Sequence, residues 1–185
     1  MNFLEMMQKR KSCRSYAPGK VIAREDLLKI VEAGRLTPSG CNSQPWKFIV
    51  VDSPEAKEKL GDALLLKNGS TGAPWRGNVS AFIILVEREA RVMPMVVEYY
   101  QDTQRFAPGD IGAACMNMCH EAFELGLDTC IIGMNDQEKM EKYFGIPAGC
   151  TVRMVLAIGY AANPDAPYNK VRKPLEEVCS FNFWE

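Results

Sequence analysis

Apolar residues first recur at helical spacing at Phe3, Leu4, Met6 and Met7, behind an Asn2/Glu5 capping box, and predict a short opening helix. From Val21 to Gly34 the period returns, with Leu27, Leu28, Ile30 and Val31 on one side and Arg24, Glu25, Asp26, Lys29 and Glu32 on the other. This is the pattern of a helix packed on a core and ending near Gly34. Trp46 to Val51 changes to strand alternation, and Ser53-Pro54-Glu55 starts a helix that runs to the neighbourhood of Leu66. Ala81 to Val86 is apolar at every position, as in a central strand covered on both faces. Residues 88–108 hold Met93, Met95, Val96, Val97, Tyr99, Tyr100 and Phe106 in a mixed pattern, read as a helix broken near Pro108 whose aromatic and methionine cluster belongs to the core. Asp110 then caps a long helix to Leu125, stopped by Gly126, and its Ala113, Ala114 and Ala122 permit close helix approach. Leu127 to Ile132 is a strand ending at Gly133, Asn135 with Glu138 caps a helix to Phe144, and Val152 to Tyr160 is the last strand. The tail from Ala161 has no core-forming period and ends in Phe181, Phe183 and Trp184, so it is either disordered or docked on something.

A chain of 185 residues with 47% hydrophobic content can bury one sizeable core, and no Pro/Gly/Ser-rich break divides it, so one domain over 1–185 is expected. The net charge of -1 comes from interspersed acids and bases, which argues against a nucleic-acid or membrane-surface partner. Any anionic ligand must then be small and locally held. Seven cysteines, scattered from Cys13 to Cys179, do not make a disulfide framework, and Glu5 interrupts the apolar segment that a signal peptide would need. With no apolar run near the ~20 residues that span a bilayer, a reduced, cytoplasmic protein is expected.

Two stretches carry candidate chemistry. In Arg10-Lys11-Ser12-Cys13-Arg14-Ser15-Tyr16, three cations and two hydroxyls fall within seven positions. Basic residues at a helix C-terminus complement its dipole, while an extended Arg-x-Ser-x-Arg would aim planar guanidinium forks and a hydroxyl at one phosphate. In Thr37-Pro38-Ser39-Gly40-Cys41-Asn42-Ser43-Gln44-Pro45-Trp46, two prolines, a glycine able to take positive φ and four short polar side chains build either an ordinary helix-to-strand turn or a fixed array of amides and oxygens. A second small-residue loop, Asn68 to Pro74, is either simply flexible or a cover for a ligand.

Other chemistries find no support. The single histidine, His120, rules out a multi-histidine metal site, and although Cys115 and Cys119 share a helix face, His120 points about 100° away from Cys119, so all three are assigned to a packed helix and no metal is expected. No GxGxxG follows a strand, and no P-loop is present. With no side chains cast for catalysis, a bound cofactor doing the chemistry becomes the natural reading.

Arg10-x-Ser12-x-Arg14, the loop Pro38-Ser39-Gly40-x-Asn42-x-Gln44-Pro45-Trp46, Asp110 to Ala114 with Glu121-Ala122 and Leu125-Gly126-Leu127, the strand end Cys130-Ile131-Ile132-Gly133, and Lys170-x-Arg172 with Pro174-Leu175 together resemble the nitroreductase family of FMN-dependent oxidoreductases. The resemblance implies an α+β fold, a three-layer α/β/α sandwich with a mostly antiparallel central sheet. It also implies an intertwined homodimer with FMN at the subunit interface and the tail 161–185 docked on the partner. Carried onto this chain, it implies that Arg10 and Ser12, with Lys170 and Arg172 from the tail, hold the FMN phosphate, and that Lys11 also binds the cofactor. Arg14 would lie toward the pyrimidine edge of the flavin; Pro38, Ser39, Gly40 and Asn42 would come from the partner; Gln44 would also bind the cofactor; and the amides of Ile132 and Gly133 would face N5 and O4. Many members carry an acidic residue where Ile132 stands, so only its backbone role transfers, and an Asn/Lys pair that often contacts the flavin has no counterpart around Asn68 to Arg76. The expected activity is hydride transfer from NADH or NADPH through FMN to a small-molecule acceptor such as a nitroaromatic or quinone, with no catalytic side chain. The alternatives are a flavin-binding or redox-sensing module without turnover, or a member with dehalogenating or other specialised flavin chemistry.

Overall fold

The computed structural model describes residues 2–184; Met1 and Glu185, the outermost residues of the 1–185 domain and of the 161–185 tail, lie outside them. Its helices are α1 (Phe3–Lys9), α2 (Arg24–Arg35), α3 (Pro54–Ala63), α4 (Pro94–Tyr100), α5 (Ala107–Glu124) and α6 (Gln137–Phe144). Its strands are β1 (Trp46–Val51), β2 (Ala81–Glu87), β3 (Asp128–Ile132) and β4 (Thr151–Gly159). They form one sheet in the order β1-β2-β4-β3, with every neighbouring pair antiparallel. The uniform hydrophobicity of β2 follows from this position: Phe82, Ile84 and Val86 face one core, Ile83 and Leu85 the other, and all are buried. The first core is closed by Leu60 and Ala63 of α3 and Met140 of α6, the second by Leu27 and Ile30 of α2 and by Ile111, Ala114 and Met118 of α5. The result is three layers, α/β/α, in an α+β fold.

The capping signals at Asn2/Glu5 and Ser53 form as expected, with the Ser53 hydroxyl accepting from the Ala56 amide at 3.2 Å. Small residues do allow the close approach of α2 and α5: a Cβ on Gly34 would fall 2.2 Å from Cε of Met118. Several boundaries differ. The second helix starts at Arg24, behind an extended Ala23, rather than at Val21. The third stops at Ala63. The longest starts at Ala107 rather than Asp110, because Pro108 fits a first helical turn without loss of a bond. Asp136, not Asn135, caps α6, by accepting from the Lys139 amide at 3.2 Å. Between β2 and α5 the helical break lies at Gln101, left-handed with φ 52°, which closes α4. The aromatic and methionine cluster there is not core, since Met95 is 69% and Tyr99 80% exposed.

Among its described residues the tail makes a single 3₁₀ turn, Leu175–Glu177, and Phe181, Phe183 and Trp184 stand on the surface. Among the described residues no helix is long and apolar enough to cross a membrane.

Candidate functional site

The basic stretch follows α1 and runs along the outside of β3. Arg10 is the C-cap of α1, its amide donating to the Met6 carbonyl at 2.8 Å. Ser12 bridges Thr129 in parallel, and the Cys13 amide donates to the Thr129 carbonyl at 2.9 Å. Alternation then turns Cys13 into the core and leaves Arg14 exposed. Arg14 lies close enough to Cys130 to offset part of the rise in that thiol's pKa that burial causes.

The tail returns to this stretch. Lys170 Nζ donates to the carbonyls of Met7 at 2.7 Å and Arg10 at 2.6 Å, satisfying the last turn of α1 as a helix C-terminus favours. Burial first, and then the charges of Arg10 and Arg172, hold its pKa below the ordinary lysine range. Lys11 Nζ donates to the carbonyls of Pro164 and Ala166 at 3.1 and 3.3 Å, so its ammonium fastens the tail to the stretch. Lys170 thus completes a helix end and still sets its charge beside Arg10 and Arg172.

Among the described residues, no carboxylate forms an ion pair with Arg10, Lys11, Arg14, Lys170 or Arg172. Nε of Arg10 is buried without a hydrogen-bond partner. Cations gathered against one another with an orphaned donor are unfavourable unless an anion completes them, and a phosphate, with several acceptor oxygens, matches this donor set. At the other end of β3 Ile132 is buried, and Gly133, just past the strand, is exposed. Gly72 packs on Met134, so the loop 68–76 reaches this strand end.

The second candidate stretch feeds β1, at the opposite edge of the sheet. Positive φ falls on Cys41 (56°), Asn42 (52°) and Gln44 (48°) rather than on Gly40. Left-handed non-glycine residues cost on the order of 1–3 kcal/mol each and persist only where the surroundings over-determine them. Here they do. The Asp110 carboxylate accepts from the Gly40 amide at 3.1 Å, the Ser39 hydroxyl accepts from the Gln44 amide at 2.9 Å, and Asn117 donates to the Thr37 hydroxyl at 2.7 Å. Gly40 is needed for contact: a Cβ there would meet the Phe106 side chain at 2.7–2.9 Å. Asp110 is thus a loop anchor inside the first turn of α5, not the cap that its place in the sequence suggests.

One chain brings Arg10, Lys11, Ser12, Lys170 and Arg172 together, with Arg14 and Ile132-Gly133 along the same edge strand. It does not bring Pro38, Ser39, Gly40, Asn42 and Gln44 to them, because β2 and β4 intervene and strands lie about 4.8 Å apart. Cys115 and Cys119 are fully buried; the interaction of the Cys115 thiol with Cys119, and then burial, raise the Cys115 pKa above the ordinary thiol range. His120 packs edge-on to Phe3 at 5.2 Å, and burial, then Arg10, lower its pKa.

Residues 7–160 match the model of the Nitroreductase family. A Bacillus subtilis protein provisionally named NAD(P)H nitroreductase YdgI is 30% identical over 207 residues, covering 97% of each chain. A solved nitroreductase family protein of Clostridium difficile superposes with a TM-score of 0.81 at 24% identity over 100% of both chains. A provisionally assigned nitroreductase of Exiguobacterium sibiricum, solved in complex with FMN, gives 0.80 at 25% identity over 98% of this chain and 97% of that one.

Proposed function

The chain belongs to the nitroreductase family, and we propose that it is an FMN-dependent oxidoreductase that carries hydride from NADH or NADPH to a nitroaromatic, a quinone or a similar conjugated acceptor. The observation that carries the cofactor is the cluster of Arg10, Lys170 and Arg172 beside Ser12, without carboxylate partners and with Arg10 Nε buried and orphaned. In this reading Arg10, Lys11, Ser12, Lys170 and Arg172 hold the phosphate, Arg14 supplies positive charge toward the pyrimidine edge, and the backbone of Ile132 and Gly133 lines the strand end. Bound there, FMN would supply hydride transfer at N5, in alternating half-reactions with donor and acceptor.

A second copy of the chain completes the site. The loop holding Pro38, Ser39, Gly40, Asn42 and Gln44 is rigidly built at the wrong edge of its own sheet, so its polar groups serve the flavin of a partner. The exposed Phe181, Phe183 and Trp184 are apolar surface of the kind that docking covers, which supports a homodimer fastened by its tails. The protein works in the cytoplasm, where its seven cysteines stay reduced.

Anaerobic mixing of the flavin-loaded protein with NADH and, separately, NADPH tests the activity. Bleaching of the flavin without an acceptor, and recovery of colour when a quinone or nitroaromatic is added, is the expected result. Flavin that neither donor bleaches would instead support a binding or sensing module.

A further inference from the structure

Glu87 ends the otherwise apolar β2 and is 5% exposed. A buried carboxylate is costly unless it is paired and hydrogen-bonded on every side. Two donors meet this one. Arg153 Nε donates to Oε2, and Gln104 Nε2 donates to Oε1 at 2.8 Å. Arg153 reaches it through a bulge: Leu85 pairs with Met154 and Val86 with Val152, so Arg153 is the extra residue of β4, and a bulge of this kind re-aims a side chain. Gln104 lies just before α5, yet its amide is spent on the end of β2: Oε1 accepts from the Ala90 amide at 2.6 Å, and Nε2 also reaches the Arg88 carbonyl at 3.0 Å.

The segment clasped by Gln104 is in turn bonded to the loop that feeds β1. The Arg88 amide donates to the Pro45 carbonyl at 3.0 Å, and the Arg91 amide donates to the Ser43 hydroxyl at 2.8 Å. Hydrogen bonds therefore run unbroken from Arg153 through Glu87 and Gln104 to residues 43–45, beside the left-handed Asn42 and Gln44.

We propose that Glu87 and Gln104 are positioning residues for the flavin-facing loop, the buried carboxylate setting the side-chain amide that clamps residues 88–91 against residues 43–45. The proposal rests on the FMN reading above and adds to it a distant control of the loop. A carboxylate suits the task because it accepts from Arg153 and Gln104 together, which a carboxamide in the same place cannot do without turning its own amide against a donor.

The test is a swap. Gln104→Glu sets two carboxylates against each other, and Glu87→Gln faces a donor with a donor. In the double variant the carboxamide at position 87 donates to the carboxylate at position 104, while its oxygen still accepts from Arg153; the carboxylate also keeps the bond from the Ala90 amide but cannot donate to the Arg88 carbonyl. FMN affinity is followed by the quenching of flavin fluorescence, thermal stability by melting, and the loop by amide exchange at Arg88 and Arg91. We expect Gln104→Glu to weaken FMN binding by about tenfold or more, in the range of losing a buried charged hydrogen bond, with faster exchange at Arg88 and Arg91, and the double variant to recover part of that loss but not all of it, because the bond to the Arg88 carbonyl stays broken. If Gln104→Glu does not fold, Gln104→Ala removes the same donors without adding charge and is judged by the same measure. Single variants that melt earlier but bind FMN as tightly as the parent would overturn the proposal, as would a double variant no better than the worse single. Arg10→Ala is run beside them: if it weakens FMN binding while the Gln104 variants do not, the clamp alone fails, and if the parent binds no FMN, the flavin reading fails with it.

Discussion

Replacing Gly40 with alanine adds one methyl group where the loop meets α5. The new Cβ would lie 2.7 Å from Cδ2, 2.8 Å from Cβ and 2.9 Å from Cγ of Phe106, well inside the ~3.5 Å at which carbon atoms attract. Rotating the Phe106 ring does not relieve this, because its Cβ, fixed to the main chain, is itself among the clashing atoms. The loop is also held by the Asp110 carboxylate on the Gly40 amide. One of these contacts must give. Overpacking of this kind costs about 1–3 kcal/mol, and in a domain of this size each kcal/mol lowers the melting temperature by about 2–4 °C. The loss should appear twice, as a lower midpoint in urea and heat melts and as weaker FMN retention, because the displaced loop is the one assigned to the flavin. Gly61→Ala is the matched control. It lies inside α3, its nearest neighbour would be Arg76 Nε at 3.4 Å, and alanine should raise stability by about 0.5–1 kcal/mol. A Gly40→Ala protein as stable as its parent, with FMN retained, would refute the contact between this loop and Phe106.

Arg10→Ala should weaken FMN binding by on the order of 2 kcal/mol, as one charge-assisted contact is lost, and equilibrium dialysis against FMN measures it. Lys170 gives a pH dependence. Its pKa is lowered by burial and by Arg10 and Arg172, and a bound phosphate would raise it again, so FMN affinity should be full below the depressed value and fall as pH rises through it. Lys170→Arg should remove that alkaline fall, since guanidinium keeps its proton, and FMN titrations across pH decide between the two. Truncation after Val178 removes Phe181, Phe183 and Trp184 and should lower both dimer mass in light scattering and flavin retention; a full-length monomer that holds FMN would contradict the partner assignment of Pro38 to Gln44.

Much of the fold was legible because its causes are local. The box at Asn2 and Glu5, the proline at the start of α3 and the all-apolar β2 state their roles within a few residues. The cations of the grip were legible for the same reason, since Arg10, Ser12 and Arg14 are neighbours in the chain. What escaped depends on residues far apart. Asp110 looks like a helix cap until the fold sets it against Gly40, 70 residues away. Glu87 looks like the polar end of a strand, and only the bulge at Arg153 and the return of Gln104 make it a buried hub. The methionines and tyrosines of 93–100 resemble core by composition, but α4 is too short and too far out along the β2–α5 excursion to bury them.

The measurement closest to the central claim is the identity of the flavin. Purified protein, reconstituted with an equimolar mixture of FMN and FAD if it is recovered colourless, is desalted and heated, and the released flavin is separated by chromatography. FMN is the expected product, because a cluster of cations without a dinucleotide glycine fingerprint grips a single phosphate. FAD in its place, or no flavin retained at all, would contradict the assignment of Arg10, Ser12, Lys170 and Arg172 as a phosphate grip.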